Sequence, residues 1–96
     1  MPQLALLVVD IQPDFLPGGT LGVPGGNEVL EPIRELLGSG EHPLAIATQD
    51  WHPPGHVSFS SSHPGRRPFD EIELYGRLQT LWPDHCVQGT PGAALH

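Results

Sequence analysis

The chain has 96 residues, enough for one small domain, with 12 glycines, 12 prolines and an apolar fraction of 38%, below the usual 45–50% or so of a globular domain. Eleven acidic residues face only Arg34, Arg66, Arg67 and Arg77, for a net charge of −7, which excludes nucleic acid and anionic membranes as natural partners. The longest apolar run, Leu4 to Val9, is too short to span a bilayer, and the single cysteine, Cys86, allows no intrachain disulfide and suits a reducing, cytoplasmic setting.

Leu4-Ala5-Leu6-Leu7-Val8-Val9, closed by Asp10, reads as a strand buried on both faces, as in a parallel sheet. From Pro13 to Gly26 the density of proline and glycine predicts a stiffened loop. Asn27 can cap a helix whose apolar stripe is Val29, Leu30, Ile33, Leu36 and Leu37, with Pro32 a potential kink and Gly38 or Gly40 its end. Pro43 to Thr48 is a second buried strand. A right-handed crossover would make the two strands parallel and bring Asp10 and Asp50 to the same edge of the sheet. After Asp50 the many prolines and glycines predict one long loop, of the kind that is usually functional.

Ligands of open parallel sheets bind beyond the carboxyl ends of the strands, where Asp10 and the segment 50–56 fall. Asp50 and His52, two apart at a strand end, project to one side and could grip one metal ion. His56 and His85, in turn-rich segments beside Pro and Trp, are candidates for a further ligand. A mixed imidazole and carboxylate set suits Zn²⁺, Fe²⁺ or Mn²⁺. His42, His63 and His96 have no second candidate ligand beside them and read as surface residues. Cys86 reads as a small buried hydrophobe rather than a nucleophile, because adjacent His85 would point elsewhere. Phe15, Trp51, Phe59 and Trp82 either pack the core or line a flat aromatic pocket. The glycine-rich stretches match no phosphate-binding loop.

Taken together, three segments resemble the nicotinamidases of the isochorismatase-like cysteine hydrolase superfamily. They are Val9-Asp10-Ile11-Gln12-Pro13-Asp14-Phe15 with Pro17-Gly18-Gly19, Thr48-Gln49-Asp50-Trp51-His52-Pro53 with His56 and Ser58-Phe59, and Leu81-Trp82-Pro83-Asp84-His85-Cys86-Val87-Gln88-Gly89-Thr90-Pro91-Gly92. The resemblance implies a three-layer αβα fold with a parallel sheet, of which residues 1–96 would be the N-terminal part of a single domain. It implies hydrolysis of nicotinamide to nicotinic acid and ammonia, as in NAD salvage. By the same resemblance Asp10 is the catalytic acid/base, Asp50, His52 and His85 hold one divalent transition metal ion, and Phe15 and Trp82 sandwich the pyridine ring. His56 is a fourth ligand in some relatives and not in others.

Family chains are roughly twice as long by the usual size of such domains, and their catalytic lysine and nucleophilic cysteine would lie beyond His96. The chain has no lysine, so the expectation is a metal- and substrate-binding half that is inactive alone. Another hydrolase of the superfamily, or a non-catalytic remnant that binds metal, are the alternatives. Half a parallel sheet would also leave an apolar face open to self-association.

Overall fold

The structure, a computed structural model, describes residues 4–96. Strand β1 (Ala5–Val8) is followed by a 3-10 turn at Pro13–Phe15, a second at Gly26–Val29, helix α1 (Leu30–Gly38) and strand β2 (Leu44–Ala47). The two strands pair in parallel, Ala5 opposite Leu44 and Val8 opposite Ala47, with α1 as the crossover that parallel pairing requires. Val29, not Asn27, is the N-cap of α1, and no side chain caps it. Asn27 is taken into the preceding 3-10 turn. Pro32 is the third residue of the helix, where its missing N–H has no intrahelical partner to lose, so it removes no hydrogen bond.

The expectation that both strands are buried is not met. Leu7 is 58% exposed, Leu44 56% and Ile46 47%, because among the described residues α1 is the one helix available to cover the sheet. An apolar cleft lined by Val8, Ile33, Leu37, Ile46, Ala47 and Leu95 runs between helix and sheet and reaches the last residue of each strand, Val8 and Ala47. The radius of gyration is 16.5 Å, against roughly 13 Å for a compact domain of similar length.

The segment after Asp50 is not all loop. Strands β3 (Glu71–Leu74) and β4 (Arg77–Thr80) form an antiparallel hairpin. Its two-residue turn holds Tyr75 at φ 53 and Gly76 at φ 79, the doubly left-handed geometry that matches strand twist. Backbone bonds from Phe69 N to Leu81 O and from Leu81 N to Asp70 O carry the hairpin ladder into the core. That core consists of Phe59, Leu81, Cys86 and Ala93, all at 0% exposure, and lies under the loops rather than under the parallel sheet. Two of the histidines expected at the surface, His42 and His63, are half-buried, and His63 Nε2 meets Val57 O at 2.7 Å.

Because Phe59 is fully enclosed, Phe59→Ala is expected to cost about 3–5 kcal/mol through lost burial and the cavity left behind. A fall in the urea midpoint with unchanged slope would report it.

Candidate metal centre

Beyond the ends of β1 and β2 the two segments stay paired. Thr48 N donates to Val8 O at 2.8 Å and Asp10 N to Thr48 O at 3.2 Å. The Thr48 hydroxyl donates to Asp10 Oδ1 at 2.6 Å and accepts from Asp10 N at 3.0 Å. These bonds hold Asp10 at φ 53, a left-handed conformation that costs a non-glycine residue of order 1–3 kcal/mol.

Asp50 is fixed by Gln12, whose Oε1 accepts from Asp50 N at 2.9 Å and whose Nε2 donates to Asp50 O at 2.8 Å. The segment that carries His85 is then laid alongside the one that carries His52. His52 N donates to Cys86 O and Gln88 N to His52 O, each at 2.8 Å, and farther along Ser60 N donates to Trp82 O at 2.8 Å and Trp82 N to Ser58 O at 2.9 Å. Two isolated parallel bridges, His52 with Val87 and Phe59 with Trp82, thus replace a regular sheet and close the long connection.

Asp50, His52 and His85 converge, with one ligand atom from each lying within 4.8 Å of the others. His52 Nε2 lies 3.1 Å from Asp50 Oδ1, and His85 Nε2 lies 3.2 Å from Asp50 Oδ2. His85 Nδ1 is 2.8 Å from Pro83 O. A carbonyl can only accept, so Nδ1 carries the proton and, in the neutral ring, Nε2 presents its lone pair to the carboxylate. In that neutral form two acceptors face each other. A cation between them resolves the conflict, and the backbone carbonyl behind the imidazole is the outer partner usual for a metal-ligating histidine. The donor set therefore fits a divalent transition ion.

His56 stands beside His52, ring centroids 4.9 Å apart, but is not one of the converging residues. Its Nδ1 accepts from Ser58 N at 3.2 Å and lies 2.7 Å from the Ser58 hydroxyl. Phe59 supports the histidines from below, 5.2 Å from the His52 ring and 5.5 Å from the His85 ring. Phe15 lies against His85 at 5.7 Å. Trp82 is half-buried and packs edge-to-face on Phe69 at 5.9 Å, with no ring contact to Phe15 among the aromatic pairs of the described residues. Trp51 is 47% exposed.

Cys86 is fully buried. Burial first, and then the carboxylates of Asp50, Asp14 and Asp10, push its thiol up from 9.0 to about 12, the opposite of what a thiolate nucleophile needs. Iodoacetamide at pH 8 is accordingly expected to leave Cys86 unmodified in the folded chain and to alkylate it in urea. The folded state keeps the thiol proton that the unfolded state loses above pH 9.0, so this group lowers stability as pH rises from about 9 toward about 12.

No family model matches the chain. A nicotinamidase of Acinetobacter baylyi is 51% identical over 92 residues, which are 96% of this chain and 42% of that protein. A solved nicotinamidase/pyrazinamidase from Acinetobacter baumannii matches with a TM-score of 0.86 at 47% identity, covering 100% of this chain and 46% of that one. The chain is a relative of the nicotinamidases. A Pyrococcus horikoshii pyrazinamidase solved in complex with zinc matches at 43% identity and a TM-score of 0.64, over 98% of this chain and 45% of that one. The chain thus spans about half the length of the nicotinamidases it matches, and its parallel strands and helix correspond to the first half of the isochorismatase-like α/β fold.

Gln12, Asp14, Thr48 and Pro83, whose hydrogen bonds reach Asp50, Cys86, Asp10 and His85, stand in the segments that carry the resemblance, but sequence alone gives them no role. The one available signal was that Gln12 and Asp14 interrupt a segment of Pro and apolar residues next to Asp10.

Proposed function

We propose that these residues form the metal- and substrate-binding half of a nicotinamidase-type amidohydrolase, which converts nicotinamide and water to nicotinic acid and ammonia. The observation that carries this reading is the convergence of Asp50, His52 and His85 at one edge of the parallel strands. These three residues would hold one Zn²⁺, Fe²⁺ or Mn²⁺. When bound, the ion offers an electrophilic site for the pyridine nitrogen, directly or through water. Phe15, already against His85, and Trp82 would bracket the ring and orient the carboxamide.

Asp10 would carry protons at its second carboxylate oxygen, the first being held by the Thr48 hydroxyl. In the reaction a thiolate adds to the amide carbon, ammonia leaves with a proton from Asp10, and water then releases nicotinic acid from the thioester. Neither the lysine nor the reactive thiol is available among these 96 residues: the chain has no lysine, and the Cys86 thiol is held protonated. We place the protein in a reducing cytoplasm, serving pyridine nucleotide salvage.

Calorimetric titration with Zn²⁺ should show one site, and a His52→Ala, His85→Ala double variant should lose it. The loss should exceed the 10–100-fold or so that removal of an outer partner costs. An unchanged site in the double variant would contradict the reading.

A further inference from the structure

We propose that Gln12 and Asp14, two residues apart on one turn, are positioning residues that set the two ligand-bearing segments of the metal centre against each other. The proposal rests on the metal reading above. Gln12 is completely buried and its amide is fully used. Its oxygen takes the Asp50 N–H, and its NH₂ donates to Asp50 O at 2.8 Å and to Ala93 O at 2.8 Å. Both backbone polar groups of a ligand are therefore tied to one side chain, which fixes the direction in which the Asp50 carboxylate leaves the backbone. Only a primary amide of this length supplies one acceptor and two donors together. Glutamate would set a lone pair against two carbonyls.

Asp14 does the same for the other arm. Its Oδ2 accepts from Cys86 N at 2.7 Å, a charge-assisted bond to the residue beside His85. Cys86 sits at φ 49, a left-handed conformation that a side-chain-bearing residue resists, so the segment needs an external hold. Cys86 O in turn accepts from His52 N, which joins the two arms. Gly92 lets the carboxylate in, because a Cβ there would fall on the Asp14 side chain. Gln49 supplies an internal comparison: its Nε2 also donates to Ala93 O, at 2.7 Å, but leaves the Asp50 backbone alone.

The test is Co²⁺ binding by the chain, read both as affinity in competition with a chromophoric chelator and as the intensity of the visible bands, which reports ligand geometry. Gln12→Glu and Asp14→Ala should each weaken Co²⁺ binding about 10–100-fold and alter the bands. Asp14→Asn, which keeps an acceptor for Cys86 N, should retain binding, and Gln49→Met should match the wild type. Wild-type affinity and bands in Gln12→Glu, or an equal loss in Gln49→Met, would overturn the proposal. Should Gln12→Glu fail to fold, the Asp14 pair decides: equal losses in Asp14→Asn and Asp14→Ala, or none in either, overturn it. A wild-type chain that binds no Co²⁺ overturns the metal reading itself, and needs no variant to show it.

Discussion

The 96-residue chain, loaded with Zn²⁺ and given nicotinamide, is expected to release no ammonia above the blank. Amide attack needs a thiolate beside its proton acceptor. The one cysteine is fully buried, its proton held by burial and by three surrounding carboxylates. Loss of the nucleophile from a comparable catalytic unit costs on the order of 10⁴ to 10⁶ in rate, enough to place turnover below an ordinary ammonia assay. Joining the chain to the remaining part of the Acinetobacter baylyi nicotinamidase, of which it matches 42%, should restore activity. Turnover by the bare chain that vanishes in Cys86→Ala would make Cys86 the nucleophile and overturn the division of labour proposed here.

In that joined chain, Asp10→Asn should lower kcat/KM by about 10² to 10⁴, the usual contribution of a positioned proton carrier, while Zn²⁺ affinity stays unchanged. The amide keeps an acceptor for the Thr48 hydroxyl, now 2.6 Å from Asp10 Oδ1, so the left-handed backbone at Asp10 should survive the change. Asp10 is not among the converging ligand residues, which is why metal binding should separate from turnover. A variant that keeps its rate would remove Asp10 from the reaction. One that loses rate and Zn²⁺ together would instead move Asp10 into the metal centre.

The elements that local pattern specifies were legible in the sequence. The apolar runs gave β1 and β2, the helical stripe gave α1, and the crossover placed Asp10 and Asp50 at one edge, as found. An apolar run reports what a strand can bury, not what lies against it, and so overstates the burial of β1 and β2. Leu7 and Ile46 remain open to solvent. The β3–β4 hairpin has a local sign, since Glu71-Ile72-Glu73-Leu74 alternates with period two before Tyr75-Gly76, a strand signal that the surrounding prolines mask.

In the site, Asp50 and His52 were visible as a local pair, whereas their meeting with His85 depends on two isolated bridges that no local pattern encodes. The Gln12 contacts were hidden for the same reason, since they span 38 and 81 positions in the chain. A glutamine between Ile11 and Pro13 carries no local sign of the partners it will find.

X-ray absorption at the zinc edge, on the chain loaded with one equivalent of Zn²⁺, tests the central claim most directly. Coordination by Asp50, His52 and His85 predicts a first shell of nitrogen and oxygen only, at about 2.0–2.2 Å, with the outer-ring scattering of two imidazoles. That scattering should disappear in the His52→Ala, His85→Ala variant. A sulfur shell at about 2.3 Å, which Cys86 would supply as the chain's single cysteine, or a wild-type spectrum without imidazole, would contradict it.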